Sequence, residues 1–394
     1  MSTTLDTLSP AELGERLRTA RESAKITQAA AAGALDVART TIVAMEQGQR
    51  RVKLDELQKL AKLYGTSLNA LLRMEAVHLD LKPQFRRAGD SGDAEIDDAV
   101  DLMTRLVKAE VELENLLGVQ RARNYPPERP LRPGDIILQA EQDAARLRHW
   151  LGLGIAPAKD LPSLLELDLG IRVYVRRLPP KISGLYAYDE SVGACILLNA
   201  SHRRSRRTQS AAHELGHFVA TRRAADAFQD EAPDGAREEK YANAFGRAFL
   251  TPPEAVQAAF KDVTAGSSQL SRRHVILLAH MFDVSREAIV RRLQELGLIK
   301  PGSWDWFEAN GGITDEQARQ VLGEEREFDP AKVEAGQPIS FRLALLASQA
   351  WRRDLLSEAQ LARLLLIDRI EMRKLINQFE SEGEVTDAAP ELRA

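Results

Sequence analysis

Apolar residues recur at helical spacing through most of this chain, and the places where that period breaks divide it into parts. Pro10 sits where a helix can start, and Leu13, Leu17 and Ala20 follow on one face. Thr27 is a good N-cap for a second helix ending near Leu35. Asp36-Val37 then makes a tight turn into a third helix, Ala38 to Glu46, closed by Gly48. Leu54, Leu57, Leu60, Ala61 and Leu68 continue the core, so residues 10 to 73 read as five short helices. Two short helices joined by so tight a turn predict a helix-turn-helix.

Pro83 and the polar run Gly89 to Asp93 mark a transition. A long amphipathic helix follows through Ile96, Val100, Met103, Leu106, Val107, Leu113, Leu116 and Leu117, ending at Gly118. It suits a dimer seam or, more often, docking on the next domain. Pro126, Pro127, Pro130 and Pro133 read as a linker, exposed enough for a second copy to reach. From Gly134 the pattern mixes α and β. Helices are expected over Ala140 to Leu151 and Leu161 to Leu167, a strand over Ile171 to Val175, and a strand pair over Ser183 to Tyr188 and Ala194 to Asn199. The last of these strands could take an extended peptide by β-addition. The run His202 to Arg207 reads as the solvated start of a helix.

Beyond residue 300 the chain reads as helix. Phe341 to Trp351 and Leu356 to Phe379 include a capped start at Ser357, with a helix-turn-helix look that suits a second DNA reader or, more often, a docked helical pair. A frayed tail is expected after Glu380. The expected fold is multidomain and mainly α: an all-α helix-turn-helix domain (1–75), a helical connector with a Pro-rich linker (76–135), an α+β domain with a small sheet (136–300), and a C-terminal helical domain (301–394).

The chemistry concentrates in Ala212-His213-Glu214-Leu215-Gly216-His217-Phe218. On a helix, residues four apart share a face, so His213 and His217 can bind one metal ion. Glu214, beside the first ligand, is placed to act as general base toward an attacking water. A catalytic zinc wants a third protein ligand. Glu239 is favoured on the helix that begins near Arg237, with Asn243 orienting a ligand from behind. Glu238 is the rival, set aside because it falls on the Ala242/Phe245/Phe249 stripe. Tyr186, Tyr188 or His280 could assist at the transition state, and the sequence does not choose among them.

Composition narrows the setting. The 394 residues are 44% apolar but only 5% aromatic, which suggests aliphatic, largely helical cores. A net charge of -4 excludes a polycationic nucleic-acid binder, and residues 1–75 hold 11 Lys/Arg against 9 Asp/Glu. The single Cys195, in an apolar run, excludes an internal disulfide and reads as a buried thiol in a reducing compartment. With no signal-peptide core and no membrane-length apolar stretch, a cytoplasmic protein without membrane contact is expected.

Two resemblances add to this reading. Leu13-Gly14-Glu15-Arg16-Leu17-Arg18, Thr27-Gln28, Thr41-Ile42 and Met45-Glu46-Gln47-Gly48 resemble the XRE/Cro-type repressor domain. That likeness implies that Gln28 begins the helix abutting the DNA backbone, and that Arg39, Thr40 and Thr41 face bases and phosphates. Arg50 and Arg51 follow that helix and could grip phosphate, and a homodimer on a DNA operator is expected. Arg206, the His213–His217 motif, Glu239-x-x-Ala242-Asn243-x-Phe245, Leu250-Thr251-Pro252 and, upstream, Ile182-Ser183-Gly184-Leu185 resemble the ImmA/IrrE metallopeptidases. So do Phe282 to Ala288 and Arg291-Arg292-Leu293, while Gln209, Tyr241 and Thr251 depart from the family pattern. The resemblance implies Zn2+ and cleavage of a specific repressor, which derepresses stress or mobile-element genes. The protein substrate would be a repressor or toxin-like regulator, or this chain itself, cut after Tyr125. The alternative is a non-catalytic repressor whose zincin-like domain senses a ligand or partner.

Overall fold

A computed structural model of the chain describes residues 10–66, 71, 79, 81, 94–223, 226–229, 237–323 and 339–381. The features expected at Leu68, Pro83, Gly89 to Asp93 and in the tail after Ser381 lie outside the described residues, as does most of the fifth helix before residue 73. The chain divides into two compact units, Met1–His78 and Leu79–Ala394.

The first unit contains α1 (Pro10–Ser23), α2 (Gln28–Leu35), α3 (Arg39–Glu46) and α4 (Leu54–Leu63). The Thr27 side chain caps α2 by accepting from the Ala30 N–H, as its sequence position predicts. Asp36 takes the left-handed conformation (φ 54°), which an Asp side chain tolerates, and so reverses the chain into α3 within three residues. Leu17, Ala31, Ala32, Leu35, Ile42, Met45, Leu57 and Leu60 form the core. Gly14 lets α1 lie against the end of α3, since a Cβ there would fall 2.5 Å from the Met45 carbonyl oxygen. The same contact carries a buried Arg21–Glu46 ion pair at 2.6 Å.

The second unit begins with α5 (Ala94–Leu117) and α6 (Ile136–Trp150). Strands β1 (Arg172–Arg176), β2 (Ile182–Asp189) and β3 (Gly193–Asn199) follow, then α7 (Arg204–Ala220), β4 (Asp226–Gln229) and α8 (Arg237–Leu250). The sheet runs β1-β3-β2-β4, with β1 parallel to β3 and the other pairs antiparallel. This corrects one expectation. The Ala194–Asn199 strand is interior, bonded on both sides, so it has no free edge for a peptide. Its residues are buried throughout, which explains an unbroken apolar run in place of alternation. Strand β4 escaped the sequence reading because four residues are too few to show a period.

Two further expectations change. The Leu161–Leu167 segment is one α-turn, Leu161–Ser163, continuing as a π-helical turn over Leu164–Asp168. The Pro-rich stretch is a pinned strap rather than a loose linker: Asn124 N donates to Leu169 O (3.1 Å), Arg129 N to Val219 O (2.7 Å) and Arg222 to Pro126 O (2.6 Å). The run His202 to Arg207 is likewise only partly solvated. Arg207 is buried against the His202 carbonyl, and Arg204 pairs with Asp283 at 3.0 Å.

Helices α9 (Pro253–Val263), α10 (Arg272–Phe282), α11 (Arg286–Glu295), α12 (Ser303–Ala309) and α13 (Asp315–Leu322) share one core around Val256, Val275, Phe282, Ile289 and Leu293. The chain then forms α14 (Phe341–Arg352), α15 (Glu358–Leu365) and α16 (Arg369–Ser381). Helix α14 packs on α5, so α5 is docked inside the unit.

That contact hides charge. Glu110 and Glu114, one turn apart on α5, meet Arg121, Arg172 of β1 and Arg342 of α14. Arg172 lies 2.7 Å from Glu114 and 3.1 Å from Glu110, and the Tyr174 hydroxyl donates to Glu110 at 2.6 Å. Burial alone would raise the Glu110 pKa, but the Arg172 and Arg121 guanidiniums and the Tyr174 hydroxyl hold it at about 2, below its ordinary 4.5. A carboxylate depressed in the folded state stabilises fully above its ordinary pKa, and that contribution is lost as pH falls through the folded value. Arg172→Met should therefore cost about 3 kcal/mol in urea unfolding at neutral pH, because it leaves two buried carboxylates with one guanidinium fewer. The variant should also lose less stability than wild type between the ordinary Glu110 pKa and pH about 2.

Candidate functional site

Helices α7 and α8 cross at unusually short range because each presents a glycine to the other. A Cβ on Gly216 would fall 2.8 Å from the Ala242 Cα, and one on Gly246 would fall 3.0 Å from the His213 backbone nitrogen. Phe218, Phe245, Phe249 and Leu215 fill the core around this crossing. The approach brings the first turn of α8 over the His-bearing face of α7.

His213, His217 and Glu239 converge there, the one such group among the described residues able to hold a metal ion. The two imidazole Nε2 atoms are 3.1 Å apart, and each lies 3.4 Å from a Glu239 carboxylate oxygen. Ligands at zinc bond lengths of about 2.0–2.2 Å stand about 3.3 Å from one another in a tetrahedron, so the donor set fits zinc. Asn243 Oδ1 lies 2.9 Å from His213 Nδ1. With that nitrogen donating to the amide oxygen, His213 Nε2 presents its lone pair to the shared point. Burial would raise the Glu239 pKa, but hydrogen bonds from His213 and His217 hold it far below the ordinary carboxylate range.

Glu214 is fully buried beside these groups. Strand β2 passes over it at Gly184, where a Cβ would fall 2.9 Å from Glu214 Oε1. The sequence marked Gly184 only as part of a family motif. The structure supplies a reason for it: a methyl group there would push against the carboxylate.

The remaining candidates separate. Glu238 is exposed rather than on the packed stripe. Tyr186 is buried, and its hydroxyl donates to the Arg222 carbonyl at 2.7 Å. The Tyr188 hydroxyl donates to Glu190, and His280 lines a cleft with Arg204 and Trp304. The structure does not gather these three at the His213–Glu239 group. Tyr241, a departure from the family pattern, donates to Asp143 of α6 at 3.2 Å.

In the first unit, Arg39 and Thr40 are exposed at the start of α3, and Thr41 is half-buried. Arg39 reaches Gln28 Oε1 at 3.3 Å, and Gln28 donates onward to Glu46 at 3.0 Å. Arg50 is held by Glu56 at 2.8 Å, and the same carboxylate caps α4 by accepting from the Lys53 N–H.

Residues 167–294 match the family described as IrrE N-terminal-like domain, Peptidase_M78, and residues 12–73 match a helix-turn-helix domain. The chain thus joins an XRE-type helix-turn-helix domain to an ImmA/IrrE-type, metallopeptidase-like domain. No curated protein matches. Among solved structures, ComR from Streptococcus suis aligns over 96% of each chain at 11% identity, with a TM-score of 0.16. So low a score leaves nothing of that structure to build on. Among the described residues no helix is long and apolar enough to cross a membrane.

Purified protein should carry close to one zinc per chain by mass spectrometry under native conditions. Glu239→Ala should remove most of it and Glu238→Ala almost none, and the reverse result would disprove the ligand assignment. Gly184→Ala should keep zinc while lowering any peptidase activity at least tenfold, because the new methyl displaces the Glu214 carboxylate and spares the imidazoles. Full activity in that variant would remove Gly184 from the site.

Proposed function

We propose that this chain is a cytoplasmic DNA-binding transcriptional regulator. Its zinc-dependent peptidase domain cuts a specific regulatory protein and so derepresses stress or mobile-element genes. The observation that carries this reading is the meeting of His213, His217 and Glu239 at zinc-ligand spacing with Glu214 buried beside them. A structural metal site needs no general base, and three ligands leave one position open.

In this reading His213, His217 and Glu239 hold zinc, and Asn243 fixes the His213 ring. Bound zinc supplies Lewis-acid polarisation of the peptide carbonyl and eases deprotonation of water. Glu214 takes the proton from the attacking water and returns it to the leaving amine. The strap after Tyr125 is pinned by backbone hydrogen bonds, which favours a target in trans over self-cleavage there. The helix-turn-helix domain reads an operator as a homodimer, with Arg39, Thr40 and Thr41 leading α3 into the groove.

Glu214→Gln separates this reading from a zincin-like sensor. The variant should keep zinc and DNA binding and lose substrate cleavage by about a thousandfold or more, as expected when a general base is removed from a preorganised site. Wild type and variant should be compared in stressed cells for loss of any protein and for release of the repressed promoter. If the variant derepresses normally and nothing is cut in either strain, the sensor reading replaces the peptidase.

A further inference from the structure

The α15–α16 pair repeats the α2–α3 pair position by position. Thr27 caps α2 by accepting from the Ala30 N–H, and Ser357 caps α15 by accepting from the Gln360 N–H. Each first helix ends in a left-handed residue, Asp36 at φ 54° and Leu366 at φ 56°. The next N–H then returns to the helix, Val37 to Ala32 O and Ile367 to Ala362 O, both at 3.0 Å. Three residues separate the helices of each pair, and the second opens with Arg39 or Arg369. Each of these arginines reaches back to the first residue of the preceding helix: Arg39 to Gln28 at 3.3 Å, Arg369 to Glu358 at 3.6 Å. Most buried positions coincide too, with Ala31, Ala32, Leu35, Ile42 and Glu46 matched by Leu361, Ala362, Leu365, Met372 and Ile376, while buried Met45 corresponds to a half-buried Leu375. Leucine has no intrinsic liking for the left-handed region, so Leu366 adopts it because the packing around the turn requires it.

The second helix is also presented outward. Arg369 and Arg373 have side chains 68% and 65% exposed, and Ile370 is 70% exposed. Lys374 and Asn377 extend the same exposed face. Residues 341–381 hold seven Lys/Arg against five Asp/Glu, an excess of two that residues 1–75 share. The α10–α11 pair is an internal contrast. It has the same turn, with Asp283 at φ 54° and Val284 N bonded to Ala279 O at 3.1 Å. Its leading Arg286, however, is taken up by the Ile313 carbonyl (2.9 Å) and Asp315 (2.8 Å) of the neighbouring segment. The start of that second helix is tied to its neighbour, although Arg291 further along it is exposed, whereas among the described residues Arg369 at the start of α16 stays exposed.

We propose that α15–α16 is a second helix-turn-helix DNA reader, with α16 entering the major groove of duplex DNA through Arg369, Ile370, Arg373 and Lys374. This goes beyond the function above and does not depend on the peptidase. In the full-length protein the native Cys195 is buried, so a single cysteine placed at Ile370 or at Thr40 can carry an iron-chelate DNA-cleaving label. Each labelled protein is mixed with random-sequence duplexes of about 40 bp at low salt, where non-specific binding dominates. Both labels should cut the DNA. Cutting from position 40 alone overturns the proposal and leaves the N-terminal reader standing. Cutting from position 370 alone supports it and counts against α3, and cutting from neither overturns both. In parallel, the combined change Arg369→Ala, Arg373→Ala, Lys374→Ala should reduce the salt slope of duplex binding by roughly 2 to 3, with helix content by circular dichroism preserved. An unchanged slope in that folded variant overturns the proposal even if the label at 370 cuts.

Discussion

The close crossing of α7 and α8 is the constraint on which the candidate centre depends. Gly216 and Gly246 remove the two side chains that would otherwise hold the helices apart. Without that approach Glu239 could not come within 3.4 Å of both imidazoles. A pair of histidines on one helix face is a local consequence of sequence. A third ligand is a tertiary event, and here it is made by what is missing from two positions. The aromatic stack of Tyr241, Phe245 and Phe249 on the far side of α8 then fixes the helix rotationally, so that Glu239 and Asn243 both point at α7.

Burial is offset by different partners in the two charged clusters of the second unit. At the candidate metal centre, desolvation is offset by imidazoles that hold Glu239 ionised, as a metal ligand would need to be. In the Glu110–Glu114–Arg121–Arg172 cluster the charges compensate one another, and the arrangement joins α5, β1 and α14, three elements remote in sequence. Such a network adds little net stability over an apolar core, but breaking it is costly, so it specifies which helix packs where. Helix α14 is held to α5 by this specificity as much as by its apolar face. Arg342 supplies one of the links.

How much of this was legible in the sequence follows from the range of each interaction. The His213–His217 pair, the Thr27 and Ser357 caps, the three strands and the turn at Asp36 all depend on residues within a few positions, and their spacing displays them. Glu239 was reachable because the start of α8 and its face could be placed on a helix, although Glu238 proved to be exposed rather than packed. Strand order was not legible: nothing in Ala194 to Asn199 says that β1 pairs on its far side and makes it interior. The pinned strap was missed for the same reason, since Pro126, Pro127, Pro130 and Pro133 announce an irregular backbone but not the Val219 and Leu169 carbonyls that hold it. Glu110 and Glu114 drew no attention beside the apolar stripe of α5, and only the arrival of Arg172 and Arg342 accounts for their burial.

The chain uses one turn three times, and the comparison separates what a turn fixes from what its surroundings fix. At Asp36, Asp283 and Leu366 a left-handed residue ends a helix, an apolar residue follows, and an arginine opens the next helix. Two of those sites use aspartate, whose side chain tolerates that conformation, and the third forces leucine into it. The local geometry is therefore common to all three. The difference lies in the leading arginine. Arg286 is satisfied by a backbone carbonyl and a carboxylate from a neighbouring helix, and its pair becomes part of a core. Among the described residues Arg39 and Arg369 reach the first residue of their own preceding helix and stay exposed, a contact loose enough to be exchanged for a phosphate or a base edge. A helix-turn-helix shape alone thus does not mark a reader, because the α10–α11 pair has the shape and its leading arginine is engaged within the fold. What marks one is the open face of its second helix.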